Sequence, residues 1–207
     1  MTILITGATG FIGSFICEEA VKRGFNTFAA IRKTSSLKYI SDERIHKIEL
    51  NLGSKEQLVE ALGKQQFDYV VHAAGATKCI DKADFFRINT DGTKNLIDAV
   101  RETQPQLKRF VFISSLSIFG AIREQQPYEP IKEQDTPQPN TAYGESKLLA
   151  EQYLRQQEGF PYVILRPTGV YGPREKDYLM MFDSIRKHID FAVGYKPQVI
   201  TFIYVTD

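Results

Sequence analysis

Two cysteines, Cys17 and Cys79, are all that the 207 residues contain. They are too few for a disulfide framework and lack the CxxC spacing of a redox or metal motif, so buried thiols in a reducing compartment are expected. An excess of one charge is missing as well: 26 basic residues face 25 acidic ones, a formal net charge of +1. No global basic field points to nucleic acid or to an anionic membrane surface. No apolar run approaches the roughly 20 residues that span a bilayer. The N-terminus enters an apolar stretch at once, without the basic region and cleavage site of a secretory leader. The three histidines, His46, His72 and His188, have no ligand partners at useful spacing, so no metal site is expected. These absences leave a cytoplasmic globular protein with small-molecule partners.

What is present is enough for one sizeable core, with 43% hydrophobic and 25% charged residues. Short apolar runs at 2–7, 28–32, 45–50, 67–75, 109–115 and 161–167 read as strands. Between them, helical spacing marks 11–24, 54–64 (with Ser54 as cap), 83–102 and 143–157. Continuous apolar strands alternating with helices predict an α/β fold, a doubly wound parallel sheet covered on both faces. The one long irregular segment, 120–140, carries Pro127, Pro130, Pro137 and Pro139. A loop of that length in a compact domain is usually functional, and this one lies where open α/β sheets form ligand crevices.

Residues 6–13, TGATGFIG, place Gly7, Gly10 and Gly13 between the first strand and the first helix. In that context Gly7 permits the tight turn, Gly10 a close approach to a pyrophosphate, and Gly13 close helix–strand packing. Thr9, Phe11 and Ile12 belong to the same cofactor-facing turn, and the helix N-terminus adds a partial positive charge. Where the second strand ends, a carboxylate would accept hydrogen bonds from a ribose 2′-hydroxyl and favour NAD. This chain has Arg32 and Lys33 instead, followed by Thr34, Ser35 and Ser36, and no carboxylate between Asn26 and Tyr39. A guanidinium fork suits a 2′-phosphate, so NADP is expected, with NAD possible.

Residues 141–147, TAYGESK, set Tyr143 and Lys147 one helical turn apart on one face. An ammonium nearby stabilises phenolate, and the expectation is a tyrosine pKa lowered towards working pH. Ser114 and Ser115 end the fifth strand, and either hydroxyl could orient a substrate oxygen in the same crevice.

The succession TGATGFIG, VVHAAG, FISSLSIFG, YGESK and LRPTGVYGP resembles the extended short-chain dehydrogenase/reductase family, the NAD(P)-dependent epimerase/dehydratase group, over essentially the whole chain. The resemblance implies a Rossmann-like domain, bound NAD(P) and a Ser-Tyr-Lys catalytic set: Tyr143 as acid/base, Lys147 lowering its pKa and holding the nicotinamide ribose, and Ser115, four residues before Phe119-Gly120, as the catalytic hydroxyl. It assigns Ser114, Ala73, Ala74 and Gly75 to the cofactor, with Asn51 and Leu52 near the adenine and Pro167, Thr168 and Val170 beside the nicotinamide. Asn89 matches a sheet-bracing asparagine and His72 a loop brace. Phe119 stands where the family usually has tyrosine, removing a hydroxyl near the site. Leu116 and Ser117 replace the Asp and Glu with which the family's sugar dehydratases eliminate water, so reduction, oxidation or epimerisation remains, on a sugar nucleotide or another carbonyl/alcohol. Family size leads one to expect a nucleotide-binding domain over 1–175, the start of a substrate lobe over 176–207, and on the order of 100 residues more. A homodimer through the two long helices is a further expectation. A non-catalytic NAD(P)-binding sensor or scaffold, or an inactive fragment, is the alternative.

Overall fold

Every strand of the main sheet runs in the same direction. The computed structural model describes residues 1–125, 128–189 and 199–207. Pro127 and part of the 176–207 segment lie outside them. Six strands, β1 (Thr2–Thr6), β2 (Asn26–Ile31), β3 (Ile45–Glu49), β4 (Tyr69–His72), β5 (Arg109–Ile113) and β6 (Tyr162–Leu165), lie in the order β3-β2-β1-β4-β5-β6, all parallel. From β1 the chain winds outward to β2 and β3; from β4 it winds the other way. The order reverses between β1 and β4, whose ends Thr6 and His72 are register partners. A crevice therefore opens beyond their carboxyl ends.

The helices follow from the apolar spacing. Helix α1 (Phe11–Lys22) buries Cys17, Ala20 and Val21 against Ile3, Ile5 and Ala29. On the opposite face, α2 (Lys55–Leu62), α4 (Gly92–Thr103) and α5 (Ala142–Arg155) bury Leu58, Leu62, Leu96, Ile97, Val100 and Leu154 against Leu4, Val70, Phe110 and Phe112. Burying each such side chain contributes about 1.5–3 kcal/mol. Helix α2 starts at the expected cap: the Ser54 hydroxyl accepts from the Gln57 N–H.

Two expectations need correction. Cover on the α1 face is incomplete: α1 packs on β1 and β2, while Val163 and Leu165 of β6 are 39% and 47% exposed. The helix expected over 83–102 is not one regular helix either. A short α3 (Lys82–Phe85) passes into a π-helical turn (Phe86–Asp91) and then α4. The cause is polar: the π turn buries Asn89 and Thr90, whose side chains bond the loop after β4 and α5. Satisfying them outweighs regular helical spacing there.

A second, two-stranded parallel sheet pairs β7 (Gly169–Tyr171) with β8 (Phe202–Tyr204), and α6 (Leu179–Arg186) lies between them in sequence.

Candidate active site

The glycine turn is a cradle that side chains would fill. Gly7 has φ +68°, and a Cβ there would stand 2.6 Å from the backbone of Ala73 and Ala74, across the β1–β4 switch point. A Cβ on Gly13 would stand 2.1 Å from the Gly7 carbonyl oxygen. Gly10 is the N-cap of α1; no side chain caps this end and its first turn holds no acidic residue. Gly10, Phe11, Ile12 and Gly13 line a crevice of about 1180 Å³. Backbone N–H groups and the helix dipole there suit phosphate oxygens.

The catalytic candidates meet on the other wall. Thr141 caps α5, its hydroxyl accepting from the Gly144 N–H at 3.0 Å. Gly144 then lets α5 approach the turn after β5, where a Cβ would stand 2.4 Å from the Ser117 carbonyl oxygen. That approach brings the Tyr143 phenol to the Ser115 hydroxyl. Ser115 is the N-cap of a 3-10 turn (Leu116–Phe119); its Oγ accepts from the Ser117 N–H and donates to the Ser117 hydroxyl, both at 3.1 Å. Phe85 packs edge-on against Tyr143.

The electrostatics differ from the sequence reading. Burial raises the Tyr143 pKa above the usual phenol value, with the Ser115 hydrogen bond lowering it in part. Lys147 is buried, donates to the Ile113 carbonyl at 2.7 Å, and has Nζ 4.2 Å from the centre of the Phe112 ring. Burial lowers its own pKa to about 7, against an opposing pull from Glu151 one turn on. Glu151 is itself buried and held by Arg166 through contacts of 2.7 to 3.2 Å. The expected lowering of the tyrosine by the lysine is therefore corrected: desolvation dominates both groups.

Two buried braces hold the walls. The Thr93 hydroxyl donates to the Asn89 carbonyl at 2.6 Å, so it accepts from His72 Nε2–H at 2.8 Å, and His72 Nδ1 accepts from Thr6 at 2.6 Å. Thr6 in turn accepts from the Ala74 N–H. Burial lowers the His72 pKa to about 3, with Lys147 adding to it, which keeps the ring neutral. Asn89 clasps both backbone groups of Ala76 and bonds Ser146 at 3.0 Å. Both residues brace, as expected.

Ala73, Ala74, Gly75, Ser114, Ser115, Tyr143, Lys147, Pro167, Thr168 and Val170 all line the same crevice as the glycine turn. The Ser114 hydroxyl is buried and has no hydrogen-bond partner among the described residues, although the residue lines the crevice. An orphaned hydroxyl and a cradle that a Cβ would fill both fit a nicotinamide dinucleotide. Other expected residues lie apart from the crevice. Thr9 does not line it, and Arg32 is exposed in a turn closed by Ser35. Lys33 pairs with Glu49 at 3.9 Å, a carboxylate that β3 brings beside the end of β2. The Asn51 amide is occupied by Gln57 and the Gly53 N–H, and Leu52 packs on the core. Phe119 is buried and faces Arg166, so its missing hydroxyl is not missing from the crevice. The sequence reading passed over Arg174, which lines the crevice directly after the motif it drew on, and Arg123 and Tyr128 of the irregular segment, which also line it.

Fold and crevice thus define a Rossmann-type, nicotinamide-dinucleotide enzyme. The model of the NAD dependent epimerase/dehydratase family matches residues 3–207, and the chain belongs to that family. It is 29% identical, over its whole length and 70% of the relative's, to the uncharacterized UDP-glucose epimerase YtcB of Bacillus subtilis. It is 27% identical to a putative UDP-glucose 4-epimerase of Methanocaldococcus jannaschii, covering 99% of this chain and 70% of that one. Among solved structures, the Bordetella bronchiseptica enzyme WbmH in complex with NAD+ superposes with a TM-score of 0.81 at 25% identity, over 99% of this chain and 68% of that one.

Proposed function

We propose that this chain carries the cofactor half and the acid/base centre of a sugar-nucleotide epimerase or oxidoreductase, with Tyr143 moving the proton. The observation that carries this reading is the meeting of Tyr143, Ser115 and Lys147 on one wall of a crevice whose other wall is the glycine turn. The similarity to UDP-glucose epimerases supports the substrate class.

A bound nicotinamide supplies the hydride acceptor and donor at its C4. The chain's own residues do the rest. Gly7, Gly10 and Gly13 keep side chains out of the phosphate path. Ser115, fixed by Ser117, orients a substrate hydroxyl or carbonyl oxygen towards the Tyr143 phenol, which takes or returns the proton on that oxygen. Lys147 places a proton donor beside the same wall, held through the Ile113 carbonyl. Ser114, Pro167, Thr168 and Val170 would hold the nicotinamide end. Leu116 and Ser117 carry no carboxyl for water elimination, which favours epimerisation or oxidoreduction over dehydration.

Arg32 supports NADP as the preferred dinucleotide. The Lys33–Glu49 pair is long and solvent-exposed, so it is worth at most about 1 kcal/mol and leaves Arg32 unneutralised. The pairing of β7 with β8 supports a substrate lobe that starts at about Gly169 rather than at 176. A cytoplasmic setting accompanies this reading, which the two free cysteines fit, as does a homodimer through α4 and α5, on whose surface Leu149 is 38% exposed.

Incubation with a panel of nucleotide sugars, followed by NMR, tests the reading: epimerised or oxidised sugar supports it, and a dehydrated product overturns it. Calorimetry tests the cofactor preference, since NADH affinity equal to or above that of NADPH contradicts the role of Arg32.

A further inference from the structure

Arg174 is a cation of the crevice that no motif assigns. It follows β7, and its backbone sits at φ +79°, a region few side chains adopt. Its guanidinium reaches across to α1. Nη1 donates to the Ser14 hydroxyl at 2.9 Å, and Nη2 pairs with Glu18. The guanidinium carbon lies 4.4 Å from the centre of the Phe15 ring and 5.0 Å from that of Tyr39. Ser14 directly follows Gly13, and Tyr39 lies on the loop after β2. Arg174 thus spans from the glycine turn to the adenosine side while lining the same crevice.

An arginine has five N–H donors. The contacts to Ser14 and Glu18 engage two of the three nitrogens, and Glu18 is the carboxylate that pairs with the guanidinium. Stacking on two rings fixes the plane of the fork, which reduces the entropy lost when an anion is bound. Glu18 offsets the guanidinium charge in direct contact, whereas the first turn of α1 holds no acidic residue, so the helix N-terminus beside it stays positive and favours an anion.

We propose that Arg174 is a phosphate clamp, binding the pyrophosphate of the dinucleotide from the side opposite the backbone N–H groups of the glycine turn. Glu18 and Ser14 hold one edge of the guanidinium and leave another edge for phosphate oxygens. The clamp makes the segment that leads into the β7–β8 unit part of the cofactor site, so that dinucleotide and substrate lobe bind interdependently. This inference rests on the dinucleotide reading above.

The test uses ADP, which carries the pyrophosphate, and adenosine, which lacks it, titrated by calorimetry and ligand-observed NMR. Arg174→Gln should weaken ADP by about tenfold or more and leave adenosine within about twofold. Equal losses for both ligands would mark a staple that merely shapes the turn, and unchanged ADP binding would exclude any contact; either overturns the clamp while leaving the dinucleotide reading intact. Failure of the unmodified protein to bind ADP overturns both. Glu18→Gln keeps the question decidable where Arg174→Gln does not fold. It frees the guanidinium, so ADP affinity should hold or rise, whereas a fall would show that the ion pair, not the phosphate, is what Arg174 serves.

Discussion

Gly144 decides where Tyr143 sits. Its missing Cβ is what allows α5 to come against the Ser117 carbonyl, and that contact sets the phenol against Ser115. Gly144→Ala should push the N-terminus of α5 outward and reduce turnover about 100-fold, the usual penalty for misplacing a reacting group by an ångström. Steady-state kinetics with the folded variant checks this. The spacing of Tyr143 and Lys147 was legible in the sequence because a helix maps it onto one face. The packing reason for the intervening Gly144 was not, because it depends on a 3-10 turn 27 residues earlier in the chain. The same holds for the pKa directions. Spacing suggests that Lys147 acts on Tyr143, but burial and the Ile113 carbonyl decide the lysine's state.

Among the elements, the βα alternation and the parallel sheet were readable because buried parallel strands are continuous apolar runs. The π turn was not, since 83–102 keeps a helical apolar period while Asn89 and Thr90 find partners on other elements. Asn89→Ala should therefore cost about 1–3 kcal/mol, because it leaves both Ala76 backbone groups without a partner; denaturant unfolding measures it. The N-cap of α5 offers a milder test. Thr141→Ala removes the bond to the Gly144 N–H and should cost about 1 kcal/mol. Arg32 shows the limit in the other direction: its position at the end of β2 was legible, but the carboxylate of Glu49 arrives from a separate strand.

Among the described residues, two buried groups, His72 and Lys147, resist protonation, and this shapes the pH stability of the whole molecule. His72 is held to about 3 and Lys147 to about 7. In each case the unfolded chain binds a proton that the native state does not, from the folded pKa up to the ordinary value. Stability should therefore rise with pH from about 3 to the ordinary histidine value, and again from about 7 to the ordinary lysine value. Lys147→Met should flatten the second rise and leave the first, as thermal melts across pH would show. A second whole-molecule feature is the open face at Val163 and Leu165. The continuous apolar run at 161–167 announced burial there, yet α1 packs on β1 and β2 in the other half of the sheet.

The proton-transfer role of Tyr143 is the claim on which the functional account turns. Turnover of the protein and of Tyr143→Phe on its nucleotide sugar, compared at saturating cofactor, tests it directly. The variant loses only the phenolic oxygen, so the account predicts a fall of about 100- to 10,000-fold. Unchanged turnover would contradict it.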